Sequence, residues 1–429
     1  MKNLKKLITI TLIFISIASV LNAELSFFWC GGIGHDKIVI KAKTKKNKSK
    51  IQLLIGSDPN FKNVLKSAVE VCDFSKQSGI MFYEVDELKE DTQHYYGFYV
   101  DGVFLKDSVG TFKTAKKDVT AFEFTFGNYS EVGSRHPVFD SIKQESPLFH
   151  LSLGGEVELD KIDSKKSVLE KMSLKNLSST VQSKLYKAIP VYRTINQQDY
   201  ALSAYGFFHE LRDAVQENFR LITPIQPIKN RYGKGSLEYQ FKIGKVVFVV
   251  TDLFSNRNNF EGVDKGQKSI MGANQKQWFK NILLNAKKND DLIVWVNSVP
   301  YHQRTWNKYW SSEHGSNWNR YSYERDEIEA FVRDHKINKI CMINVGTNPR
   351  IHKGVSKRSI SEYNSMLPSI QSGVLHKPSF NKKWYDFESD TQGQYGKVNI
   401  KRNESGTFNV EWSIKNYKGR ELVTSEFVL

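Results

Sequence analysis

Chemistry in this chain would have to come from acids and imidazoles that fall just after apolar segments. Those are Glu158, Asp160, Asp199, Asp252, His302 and His352. Carboxylates and imidazoles so placed hold cations, or act as general acids and bases, when several converge on one cavity. Their spacing announces no such convergence. No His-x-His, Glu-x-x-His or His-Glu-x-x-His pattern occurs, nor a Gly-x-Ser-x-Gly nucleophile elbow. Taken one by one, these side chains read as solvated or structural. The three cysteines, Cys30, Cys72 and Cys341, are too few for a Cys₄ zinc site or a disulfide scaffold. An oxidising compartment would permit one Cys30–Cys72 bridge, and Cys341 sits in an apolar run that buries it.

The elements that must position these residues change character along the chain. Residues 24–118 read as short alternating strands: Lys37–Lys43, Ile51–Ile55, Met81–Val85 and Tyr95–Val100, closing at Gly110–Thr114. That rhythm marks a β-sandwich. Leu88-x-x-x-Thr92-x-x-Tyr95-Tyr96 matches the corner of fibronectin type III-like modules, and Lys41–Lys48 reads as a hairpin tip. Ala115–Asp118 is the expected link. From residue 119 strands alternate with helices: a strand at Thr120–Phe126, a helix at Pro137–Glu145, a strand at Leu148–Leu153. Val246–Val250, Leu292–Val296 and Lys339–Ile343 are apolar strands of the buried parallel type. Helices are expected at Gln275–Lys288, with Phe279, Ile282, Leu283 and Ala286 on one face, and at Glu324–Asp334. The tail returns to strands at Gly396–Lys401 and Phe408–Ile414. In such layered α/β domains ligands bind beyond the carboxyl ends of the strands, here near 127–130, 154–160, 252–258, 297–304 and 344–352.

At those places the sequence resembles the PhoD-like alkaline phosphatase family. Phe126-Gly-Asn-Tyr-Ser130, Ser134–Asp140 and Pro147–Gly155 are similar to the opening of that family's domain. Val250–Arg257, the Gly272-Ala-x-Gln275-x-x-Trp278 run, Val294–Pro300 and Trp318-x-x-Tyr321-x-x-Glu324-Arg325 follow in the family's order, as do Gly393–Gly396 and Asn416–Gly419. A fibronectin-like module beginning near a tryptophan, here Trp29, precedes the domain in the family. The resemblance covers nearly the whole chain after residue 23. It implies an N-terminal fibronectin type III-like β-sandwich (24–118) followed by a four-layer α/β/β/α metallophosphatase-like domain (119–429). It also implies a metal-dependent phosphomonoesterase or phosphodiesterase using calcium and iron or another divalent pair, held by strand-end motifs.

The sequence departs from each of those motifs. Tyr129 stands for the family's cysteine and Gly155 for its first metal-binding aspartate, with Glu158 three residues on. Asn196, Gln197 and Gln198 stand for Asp-Asp-His, with Asp199 following; Thr347 and Pro349 stand for the Asp and His of Gly-Asp-x-His. Amides, glycine, threonine and proline leave too little anionic charge to offset the desolvation of a di- or trivalent cation. No cofactor is therefore expected. Asp199, Asp252 and His302 are the residual candidates for chemistry; Asp252 and Arg257 keep an Asp-x-x-x-x-Arg spacing, but Phe254 replaces a further arginine.

Residues 1–23 have the layout of a cleavable signal peptide: Lys2, Lys5 and Lys6, an uncharged apolar run Leu7–Val20, then Ala23. That run is short for a spanning helix, so a secreted, extracytoplasmic protein without a transmembrane segment is expected. The net charge of +16 suggests an anionic polymer or phosphate-bearing ligand as the partner class, but it suits a merely soluble lysine-rich surface as well. No nucleic-acid signature accompanies it. The expectation is an exported, catalytically degenerate phosphatase-fold protein with a binding or scaffold role; the alternative is an active phosphoester hydrolase with altered metal ligation.

Overall fold

The structure, a computed structural model, describes residues 24–127, 134–155, 180–196, 199–200, 212–226, 237–258, 266–301, 318–345, 350–352, 367–372, 387–388 and 393–429. The expected signal peptide, 1–23, lies outside the described residues.

Nine strands come first: β1 (Leu25–Gly31), β2 (Ile38–Thr44), β3 (Ser49–Gly56), β4 (Val64–Lys66), β5 (Glu70–Cys72), β6 (Met81–Val85), β7 (Gln93–Val100), β8 (Val103–Phe104) and β9 (Gly110–Lys113). They divide into a sheet ordered β1-β2-β6 and a second ordered β4-β3-β7-β8, with β5 also on β3 and β9 also on β7. Phe28, Cys30, Ile38, Ile40 and Ala42 from one sheet meet Ile51, Leu53, Ile55, Phe98 and Val100 from the other in a shared core. This is a β-sandwich.

One expectation fails inside it. The lysine-rich stretch is not a hairpin tip, because β2 and β3 belong to different sheets and residues 45–48 cross between them. Alternation identifies a strand without saying which sheet it joins. Lys41 accordingly lies in β2 and is buried, not at an exposed turn. The Tyr96 hydroxyl reaches out of the module, donating to the Lys187 carbonyl, 3.2 Å away, in the next domain. Cys30 and Cys72 are free buried thiols, and Cys72 Sγ lies 2.9 Å from the Gly79 carbonyl.

The α/β part is built from β10 (Ala121–Gly127), α1 (Val138–Gln144), β11 (His150–Ser152), α2 (Val181–Ala188), β12 (Val191–Arg193), α3 (Arg212–Ile222), β13 (Tyr239–Ile243) and β14 (Val246–Val250). Then come α4 (Ala273–Lys288), β15 (Leu292–Asn297), α5 (Ser322–Asp334), β16 (Ile340–Val345), β17 (Arg350–His352), β18 (Ser369–Ser372), β19 (Phe387–Glu388), β20 (Tyr395–Arg402), β21 (Phe408–Lys415) and β22 (Glu421–Val428). One sheet runs β12-β11-β10-β20-β21-β22, the other β13-β14-β15-β16-β18-β17-β19. Pairing is parallel along β10-β11-β12 and along β14-β15-β16-β18.

Alternation within the strands sends one set of side chains between the sheets and the other outward. Phe124, Phe126 and Leu151 face Phe248, Val294 and Cys341 in the middle layer. Val249, Ile293, Trp295 and Met342 point outward onto Phe279, Ile282 and Leu283 of α4, and Val138, Phe139, Leu185 and Tyr186 cover the opposite side. The result is the α/β/β/α stack. Tyr192 and Phe241 stack face to face at 3.7 Å, joining the edge strands β12 and β13 across the gap between the sheets.

The sandwich is fastened to this domain by apolar and polar contacts together. β1 is buried on both faces: Phe28 and Cys30 turn into the sandwich, while Phe27 and Trp29 join the core that contains α2. Trp29 stacks on Tyr186 at 5.2 Å. Thr111 Oγ1 donates to the Ala188 carbonyl at 3.0 Å, and Tyr192 Oη to the Ile33 carbonyl at 3.1 Å. Gly31 is required here, because a Cβ would stand 2.3 Å from the Val191 carbonyl oxygen. Of the expected link, Ala115 is buried and only Lys116–Asp118 are exposed. Trypsin should therefore cut at Lys116 or Lys117, yet the two pieces should co-elute on size exclusion until denaturant is added. Release of a free N-terminal module on cleavage alone would contradict this docking.

Candidate functional site

The carboxyl ends of the parallel strands carry the residues of interest. After β11 the chain turns at Gly154 and Gly155, both at positive φ (86° and 76°), a region that L side chains adopt reluctantly. A Cβ on Gly154 would lie 2.6 Å from both the Asn196 nitrogen and Asp199 Oδ2. Asp199 explains this closeness. Its buried Oδ2 accepts the Gly155 N–H at 2.6 Å and the Asn196 N–H at 3.1 Å. One carboxylate thus ties the loop after β11 to the loop after β12.

Asp252, after β14, does similar work, tying its own loop to the segment before β13. Its Oδ1 accepts the Phe254 and Ser255 N–H groups at 3.1 and 3.0 Å, and its Oδ2 the Leu237 N–H at 3.1 Å. Gln275 on α4 clamps its backbone from both sides, accepting the Asp252 N–H and donating to its carbonyl, each at 2.7 Å. Phe254 packs under the buried Arg257, whose guanidinium carbon lies 4.6 Å from the ring centroid. Burial lowers the Arg257 pKa, against the opposing pull of Tyr321, Tyr200 and Asp252. Burial first, then Asp252, pushes the Tyr200 hydroxyl up.

The motif residues that survive have architectural employment. Glu324 accepts from Ser269 Oγ and the Ile270 N–H, both at 2.6 Å, fixing the turn before α4. Trp318 Nε1 donates to Asn297 Oδ1 at 3.2 Å, and Tyr321 Oη to the Asn258 carbonyl at 2.6 Å. Asn297 and Asn344 are register neighbours at the ends of β15 and β16. Among the described residues, Asn297 Nδ2, Ser298 Oγ and Asn344 Oδ1 are buried without a hydrogen-bond partner. Nothing in the apolar pattern marks these asparagines; their position at strand ends was the available signal. His150, also missed, is fully buried with Nδ1 3.0 Å from Thr125 Oγ1, and desolvation pushes its pKa down to about 3.

Of the residues singled out by sequence, Gly155, Asn196 and Asp199 come together, while Asp252 sits at the end of the facing sheet. His352 closes the short strand β17. Tyr129, Glu158, Asp160, Gln197, Gln198, His302, Thr347 and Pro349 lie outside the described residues.

A di-metal centre does not fit the donors that are described. At 155 there is no side chain, at 196 a neutral amide, and both described aspartates are already engaged by two or three backbone N–H groups. Among the described residues no cluster of three or more His, Cys, Asp or Glu side chains could hold an ion.

No family profile and no curated protein matches this sequence. The fold does have solved counterparts. The structure of PhoD matches with a TM-score of 0.74 at 13% identity, over 94% of this chain and 89% of that one. A purple acid phosphatase isolated from yellow lupin (Lupinus luteus) seeds matches with a TM-score of 0.64 at 10% identity, over 94% of this chain and 74% of that one. With its β-sandwich, its α/β/β/α stack and these two counterparts, the chain has the PhoD-like metallophosphatase fold.

Proposed function

We propose that this is an exported protein with a PhoD-like fold whose strand ends serve structure and binding in place of metal-dependent phosphoester hydrolysis. The N-terminal module is read as fibronectin type III-like. One observation carries the proposal: the Asp199 carboxylate bonds two backbone N–H groups, Gly155 and Asn196, at the positions where the resemblance expects metal ligands. A carboxylate used as a loop tie completes the fold without a cation. Export rests on the 1–23 segment, and no helix among the described residues is long and apolar enough to cross a membrane.

Elemental analysis of the purified protein, with hydrolysis of an aryl phosphate and an aryl phosphodiester in added calcium, iron, zinc or manganese, tests the proposal. The expected result is metal well below one equivalent and turnover at the enzyme-free rate. EDTA should leave the melting temperature unchanged, since the core is built from apolar layers rather than around an ion. Stoichiometric metal with turnover abolished in Glu158→Ala would overturn the proposal and establish the hydrolase alternative.

A further inference from the structure

A groove of about 560 Å³ separates the β1-β2-β6 sheet from helix α3. Its sandwich wall carries Lys41 and Phe82, register neighbours on β2 and β6. Leu221 and Ile225 supply apolar surface opposite. Lys41 is only 6% exposed. Its Nζ has one hydrogen bond, a long 3.4 Å contact to the Arg220 carbonyl, and lies 4.6 Å from the Phe82 centroid. No carboxylate among the described residues pairs with it.

Two acids line the groove as well. Asp213 and Glu217, on α3 like Arg220, add their charge to that of Asp252 and Glu238 acting on that arginine. Asp213, Glu217 and Arg220 are the charged groups the groove presents to Lys41; β6 contributes only Phe82. Among the described residues the lysine is left as a desolvated cation with two unused donors, beside the apolar surface of Phe82, Leu221 and Ile225. Burying an unpaired charge is costly, and pockets at domain boundaries that set placed polar groups beside apolar surface suit small ligands.

We propose that this groove binds a small organic carboxylate with an apolar body, the carboxylate meeting the Lys41 ammonium and the body lying on Phe82, Leu221 and Ile225. The carboxylate supplies the missing counter-charge, and the low exposure of Lys41 strengthens the pair. Desolvation holds the Lys41 pKa down at about 8, so the free site loses its charge at a pH where surface lysines keep theirs.

Isothermal titration of the full chain with 3-phenylpropionate, which is ionised throughout, tests this. Binding at pH 7 should weaken about 30-fold at pH 9.5, the ratio of protonated lysine at a pKa near 8. The neutral amide 3-phenylpropanamide should bind at least about tenfold more weakly than the acid, and equimolar inorganic phosphate should not displace the acid. Lys41→Met, which keeps the stem and removes the charge, should abolish the preference for acid over amide. The pH comparison on wild type stands even where that variant fails to fold. Equal affinity for acid and amide, affinity flat from pH 7 to 9.5, or ready displacement by phosphate would each overturn the proposal.

Discussion

Between pH 7.5 and pH 4 the His150→Gln variant should gain about 3 kcal/mol on the wild type in urea-unfolding free energy. His150 is fully buried, and desolvation sets its folded pKa at about 3, against roughly 6.5 in an unfolded chain. Above pH 6.5 both states are neutral and the histidine costs nothing. As pH falls below that value the unfolded chain takes up a proton that the folded one refuses. Stability is therefore lost progressively down to the folded pKa. Glutamine does not titrate and can still meet Thr125 Oγ1, now 3.0 Å from His150 Nδ1. Groups common to both proteins, including His94, whose pKa burial also lowers, cancel in the comparison. Parallel pH profiles for the two proteins would show that His150 protonates inside the fold.

Asp199→Ala should cost about 2–6 kcal/mol of stability, because it strands two buried N–H groups at roughly 1–3 kcal/mol each. Those donors are Gly155 and Asn196. Asp199→Asn should cost less, since one amide oxygen remains to accept. The loss should be the same with and without EDTA, measured as the shift in urea midpoint at constant slope. A loss seen only in metal-loaded protein would make Asp199 a ligand and defeat its role as a loop tie.

Much of the architecture is legible in the sequence. The apolar strand Val246–Val250 has the bounds its run implies, and α4 buries Phe279, Ile282, Leu283 and Ala286 as their spacing requires. Met81–Val85 is likewise a strand over its full expected length. What local pattern does not carry is partnership. The crossing at residues 45–48, the burial of Lys41 and the reach of Tyr96 to Lys187 depend on which surfaces dock, a long-range fact. Helix α3 is a different case: Val215, Phe219 and Ile222 recur at helical spacing on its buried face, a legible signal that the reading of the sequence passes over. At the strand ends, residue type shows that Gly155 and Asn196 bring no charge. Only geometry shows the Asp199 carboxylate taking two backbone N–H groups.

The placement of β10 has a consequence for how the chain is made. β10, residues 121–127, pairs on one side with β11 but on the other with β20, residues 395–402. On a ribosome that edge must wait for nearly the whole remaining polypeptide before its partner emerges. Trp29 waits too, for Tyr186. An unpaired strand that itself carries Phe122, Phe124 and Phe126 is a template for intermolecular pairing, so chains that end before residue 395 should be the most prone to aggregate.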